Sequence, residues 1–225
     1  MNRLNIRAFA GILQLFVVLA LTIFLPAWTL DYWQAWIVVA VFFGCTIAVT
    51  LYLMKNDPKL LERRVSAGVV AEQEKSQKII QAFAALAFIA LFVVSSLDHR
   101  FGWSTVPSYL VAIGDVLIVV GFYLVFLVFK ENSFASGTIE IGDEQRVIMT
   151  GPYALVRHPM YVGALVMLVG VPLALGSLWG LAAIVPMTLV LVARLLDEER
   201  FLAKNLSGYC EYQNRVRYHL LPLIW

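Results

Sequence analysis

The sequence predicts an all-α fold, a polytopic membrane bundle of about six transmembrane helices with a tight C-terminal helical hairpin. Three observations carry that reading. Apolar residues make up 61% of the chain and charged residues 14%, with a mean hydropathy of +0.81, whereas soluble domains run at roughly half and a quarter. Several stretches approach the ~20 apolar residues that cross a bilayer. The basic residues also fall in alternate connections, as membrane topology requires.

Taken in order, the first span runs from about Ala8 to Leu25 and stops at Pro26. The second runs from about Trp33 to Met54, with Trp28, Trp33 and Trp36 placed where an interfacial aromatic belt lies. The third covers Ile79–Leu97 and the fourth Val106–Phe129; the fifth, Met160–Leu175, is short. The sixth runs from about Leu178 to Leu196, contains Pro186, and follows a Gly176–Gly180 link that permits only a tight hairpin. Asp115 lies inside the fourth span and reads as a helix–helix contact, since its position in the outer half of the bilayer argues against a role in cytoplasmic chemistry.

Sixteen of the 17 Lys and Arg fall at the N-terminus, in the connections after spans two and four, and at or after the end of span six; Arg100 alone lies on the other side. This predicts six spans with both termini in the cytoplasm. No cleavable signal is expected at the first span. The connection from Asn56 to Lys78 mixes Leu60, Leu61, Val65, Val69 and Val70 with charges, which fits a helix on the membrane surface or a solvated linker helix. Between Lys130 and His158, Ile139-Glu140-Ile141 and Gln145-Arg146-Val147-Ile148 flank Gly142-Asp143-Glu144 and read as a short cytoplasmic hairpin. After span six, Phe201, Leu202, Leu206, Tyr209, Tyr212 and Val216 recur at helical spacing, predicting an amphipathic C-terminal helix. The chain therefore divides into N-terminal spans over 1–129 and a C-terminal region over 130–225. Cys45 and Cys210 give neither metal spacing nor a disulfide framework, and nothing points to metal or nucleic acid.

The chemistry-bearing stretch is Gly151 to Gly163. Gly151-Pro152 turns the chain back to the membrane, and proline disfavours the helical conformation for the residue before it. Pro159 suits a first helical turn, so Arg157 and His158 belong on an extended segment at a helix N-terminus, where an anionic group is favoured. Ordinary juxtamembrane polar residues are the alternative. Further on, Arg194 and Glu198 share a helix face four residues apart, as a surface pair or as site residues.

The ordered series Arg157-His158-Pro159-x-Tyr161-x-Gly163, a helical hairpin, Arg194-x-x-x-Glu198-Glu199, Gly208-Tyr209-x-x-Tyr212 and a closing Leu-Pro resembles the isoprenylcysteine carboxyl methyltransferase family, in its prokaryotic-type integral-membrane form. The related phospholipid N-methyltransferases share its His-Pro and Glu-Glu elements. The resemblance covers roughly 130–225. It implies a methyltransferase using S-adenosylmethionine (SAM) in a cytoplasm-facing cavity, with a lipophilic acceptor entering from the bilayer. Carried over, Gln145, Arg146, Val147, Ile148, Tyr153, His158, Pro159, Met160, Tyr161 and Glu198 are implied cofactor-pocket residues, the first four matching by spacing alone. Arg194 is implied to hold the acceptor, and Arg194 with Glu198 to carry catalysis. His158 suits the SAM carboxylate and Glu198 its ammonium or ribose hydroxyls. A carboxylate acceptor needs no base, and Arg194 would steer it. An amine acceptor would have only Glu198 or Glu199 to call on. Rival readings are a phospholipid N-methyltransferase, a sterol-reductase-type enzyme using NADPH, and a transporter or scaffold, although no internal repeat of the transporter kind is present.

Overall fold

The computed structural model describes residues 3–66, 75–138, 141 and 145–225. Eight α-helices are found among them: α1 (Arg3–Ala27), α2 (Trp33–Asn56), α3 (Pro58–Val65), α4 (Lys75–Phe101), α5 (Ser108–Glu131), α6 (Pro159–Ala174), α7 (Ile184–Asn205) and α8 (Tyr209–Arg215). α1, α2, α4, α5 and the run from Trp179 to Asn205 are long and apolar enough to cross a membrane, and α6 is a shorter apolar helix. The chain is a multi-pass helical membrane protein, with its helices at the expected places.

α6 is short because Pro159 fixes its start and Gly176, at φ +72°, lies just past its end. A 3₁₀ turn over Trp179–Ala183 then leads into α7, where Pro186 falls in the first turn and breaks nothing. At this end of the bundle Asp98 is a fully buried hub. It accepts from Ser104 Oγ and Ser177 Oγ, both at 2.6 Å, and from the Ser104 N–H at 2.8 Å, tying the end of α4 to the α6–α7 hairpin.

α5 and α6 approach most closely, through glycines seven apart on each helix. A Cβ on Gly121 would lie 2.6 Å from the Gly163 carbonyl oxygen, and one on Gly170 would lie 2.6 Å from that of Gly114. Backbones that close leave no room for a side chain, the arrangement small residues give membrane helices. Gly121→Val is therefore expected to force the helices apart and cost about 1–3 kcal/mol, read as a lower midpoint in detergent unfolding. Gly44→Val on α2, where a Cβ would meet nothing within 4 Å, is the control and should leave the midpoint nearly unchanged.

Three expectations need correcting or narrowing. α3 does not turn its apolar face outward. Asp57 caps it by accepting from the Leu60 N–H at 3.0 Å, Pro58 opens it, and the chain folds straight back after α2. Leu60 and Leu61 then bury against Leu53, Val128 and Phe129, while 67–74 lie outside the described residues. The C-terminal amphipathic helix is broken in two, because Gly208 at φ +83° ends the turn after α7. Its apolar residues Leu206, Tyr209, Tyr212 and Val216 pack on Val147 and Tyr153. The expected hairpin falls largely on 139–140 and 142–144, outside the described residues; 145–149 are described and are irregular.

Candidate active site

The end of the bundle opposite Asp98, where α2, α5 and α7 finish and α4 and α6 begin, is built around the His-Pro segment. His158 flanks α6 at φ −125°, ψ 62°, the non-helical conformation that a following proline imposes. The N–H groups of Arg157 and His158 donate to the carbonyls of Tyr218 and His219 at 2.9 and 3.0 Å. The C-terminal segment after α8 is thereby stitched to the start of α6.

Arg157 spends every donor it has inside this junction. Nε donates to Glu199 Oε1 at 2.6 Å and Nη2 to Glu199 Oε2 at 3.2 Å. Nη1 serves the Val216 and Arg217 carbonyls at 3.1 and 3.2 Å, and Nη2 also meets His219 Nε2 at 2.5 Å. His158 Nε2 stands 2.9 Å from Glu199 Oε1. Arg157, His158 and Glu199 are 9%, 5% and 7% exposed, so this is an interior ion cluster in which each charge is matched. Burial lowers the His219 pKa against the pull of Glu199, which suits a neutral ring accepting from Arg157. Glu199 is thus committed to holding the fold and is not placed as a free base.

Beside the cluster lies a cavity of about 550 Å³, within the ~300–1,000 Å³ range of small-molecule sites. Every residue implied by the resemblance lines it: Gln145, Arg146, Val147, Ile148, Tyr153, His158, Pro159, Met160, Tyr161, Arg194 and Glu198. Sequence segments forty residues apart therefore meet. Among the described residues Glu198 is the one carboxylate on its wall, and it accepts from the Tyr161 hydroxyl at 2.7 Å. Arg194, one turn earlier on α7, donates from Nη1 to Gln77 Oε1 at 3.1 Å and from Nη2 to the Gly137 carbonyl at 2.8 Å. Tyr153 takes a hydrogen bond from Asn132 Nδ2 at 2.8 Å, and burial pushes its pKa up to about 12, so it stays a neutral phenol. His158 differs from expectation in one respect: Nε2 is taken by Glu199, leaving Nδ1 as the ring nitrogen for a ligand.

Residues that sequence reasoning did not pick out also line the wall, among them Arg64 from α3, Gln81 from α4 and Asn132 after α5. In the sequence Arg64 reads as one more positive charge on the basic side of the membrane, and the two polar residues carry no motif.

Comparison with known proteins bears on the same residues. Residues 109–208 match the family model described as phospholipid methyltransferase, while no curated protein matches. The matched region runs from the start of α5 to Gly208 and takes in Arg157, His158, Arg194, Glu198 and Glu199. This region is similar to the phospholipid methyltransferase family. With its apolar helices, the chain is a multi-pass membrane protein with a region similar to a membrane methyltransferase family. Within the matched region lie α6 and α7 and the connections before α6, which together supply most of the cavity wall. Arg64 and Gln81 come from outside it.

Proposed function

We propose that the protein transfers a methyl group from SAM to an oxygen of a lipophilic carboxylate, in the manner of isoprenylcysteine carboxyl methylation. The observation that carries this reading is the shared cavity. It sets Glu198, bonded to Tyr161, and Arg194, bonded through Gly137, on one wall within a helical turn of each other. The donor set suits SAM: Glu198 for its ammonium or ribose hydroxyls, His158 Nδ1 and the α6 N-terminus for its carboxylate, and Val147, Ile148 and Met160 for the apolar parts. When bound, SAM supplies an electrophilic methyl on a sulfonium. A carboxylate oxygen could accept that methyl, the C–S electron pair staying with sulfur, without any proton having to move. Arg194 would orient that carboxylate through paired hydrogen bonds.

Acceptor chemistry is where the base matters. An amine must lose a proton, and Glu199 is consumed by Arg157 and His158. The basic asymmetry of the connections supports a cytoplasmic position for this end of the bundle, where SAM is available, and under this reading the acceptor reaches the cavity from the bilayer of the cell or inner membrane. Residues 130–225 form the catalytic region under this reading.

The test is incubation of membranes with deuteriomethyl SAM, mass spectrometry of the products, and alkali treatment. Label released by base as methanol is expected, because methyl esters hydrolyse and methylamines do not. Base-stable label on a phospholipid headgroup would replace this reading with N-methylation. Binding of NADPH in place of SAM would replace it with a reductase.

A further inference from the structure

We infer that the turn from Leu221 to Trp225, with Leu155, is a membrane anchor that inserts into the lipid interface at the cavity's end of the bundle. The inference needs nothing of the methyltransferase reading. Depth is the first observation. The far end carries exposed Trp28, Trp33, Trp36, Trp103 and Trp179, the belt that a membrane–water interface collects. α6 ends at Ala174, shortly before Trp179, and is 16 residues long. At 1.5 Å per residue it reaches back only about 24 Å across the ~30 Å hydrocarbon core. Its start, and Arg157 and His158 with it, therefore lies at the inner edge of that core. Their N–H groups bind the Tyr218 and His219 carbonyls, which holds the following segment at the same depth. Trp225 folds back on it, its ring stacked on that of His219 with centres 4.5 Å apart, so the turn between them cannot stand far into water.

The chemistry of the turn suits that depth. Leu223 and Ile224 are 86% and 78% exposed, and Leu155 and Leu221 are exposed as well. The backbone closes on itself, as polar groups must before they leave water. Ile224 and Trp225 donate to the Leu221 carbonyl at 3.2 and 3.1 Å, Leu220 and Leu221 donate to the Trp225 carbonyl at 3.1 Å, and Pro222 has no N–H to satisfy. Arg215 and Arg217 precede the turn, both exposed, and no acidic residue lies between Tyr212 and Trp225. An apolar tip, an aromatic ring and a basic flank make an interfacial anchor, with added attraction to anionic lipid. Lipid-facing surface already reaches this level: Leu196, less than a turn from the Glu199 that binds Arg157, is exposed on α7. The turn continues that surface, and lipid contact there would hold the 216–219 segment against α6.

The test uses the full chain, with Cys45→Ser and Cys210→Ser, in nanodiscs of phosphatidylcholine and phosphatidylglycerol. Ile224→Cys carries an environment-sensitive dye, quenched by iodide from water or by spin-labelled lipid from the bilayer. Leu189→Cys, on the exposed apolar side of α7, and the free dye give the membrane and water limits. The dye at 224 should lose most of its iodide quenching and respond to spin-labelled lipid, most strongly when the label lies near the headgroup. Leu221→Ser combined with Leu223→Asn should return it towards the free-dye value. Leu223 has φ +68°, a conformation that asparagine accepts, so the turn keeps its shape while its apolar tip is lost. Should Ile224→Cys fail to fold, Leu221→Cys carries the dye and Leu223→Asn is the second substitution. Iodide quenching at the free-dye value overturns the anchor. Lipid quenching that the substitutions leave unchanged also overturns it, because the dye and not the leucines would then be finding the bilayer. Protection from both quenchers assigns the turn to a second copy or another protein, and overturns it too.

Discussion

Glu199→Ala is expected to cost roughly 3–5 kcal/mol, the loss typical of stripping one partner from a buried ion pair. The substitution strands the Arg157 guanidinium, 9% exposed, beside a His158 that also loses its partner. Two Arg157 donors would still hold the Val216 and Arg217 carbonyls, so the damage should concentrate where the C-terminal segment joins the start of α6. The measurements are the midpoint of thermal unfolding in detergent and the rate of proteolysis after Arg215 or Arg217, which should fall and rise respectively. Glu198→Ala is the neighbouring control. Its partner is the neutral Tyr161 hydroxyl, so its effect on the midpoint should be far smaller. Equal midpoints for the two variants would mean that the Glu199 cluster does not hold the junction.

Much of this arrangement was legible before any coordinates. The apolar spans, the proline at the start of α6 and the glycine link before α7 are local signals, and the helices appear where those signals stand. The series from Arg157 to Glu198 pointed to one site through its resemblance to the methyltransferase family; helical spacing by itself put Arg194 and Glu198 on one face and His-Pro at a helix mouth. Which of the two glutamates faces the cavity was legible only through the resemblance, which picks Glu198, and not from local signals. Adjacent helical residues point about 100° apart, and only the packing of α7 against the 216–219 segment decides that Glu199 turns to Arg157 while Glu198 turns to Tyr161. Arg64 was invisible for a similar reason. Its place on the cavity wall depends on α3 folding back onto Phe129 and Ser136, far along the chain, and sequence shows only a charge among many on the basic side. The expected single C-terminal helix was read from apolar periodicity, which is the same whether a helix continues or restarts after Gly208.

The second large effect separates Arg194 from Glu198 in function. A merely structural pair one turn apart would lose the same few tenths of a kcal/mol from either side. The proposed roles require asymmetry instead. Glu198→Ala should weaken SAM binding by about 1.5–3 kcal/mol, roughly 10- to 100-fold, because a carboxylate facing a cationic ligand is removed from the cavity wall. Arg194→Ala should leave SAM affinity nearly unchanged and appear in turnover, as a raised KM for the acceptor, a lowered kcat, or both. Arg194 also braces Gln77 and Gly137, so the unchanged SAM affinity doubles as evidence that the cavity has kept its shape. Arg194→Lys restores the charge without the paired donors and should recover little activity if a carboxylate is gripped at two points. The experiment pairs calorimetry with SAM against initial rates on the acceptor that isotope labelling identifies. Small, equal effects of the two alanine variants on both quantities would reduce Arg194 and Glu198 to a surface pair. A loss of SAM binding in Arg194→Ala as deep as in Glu198→Ala would place both residues on the cofactor and leave the acceptor without its arginine.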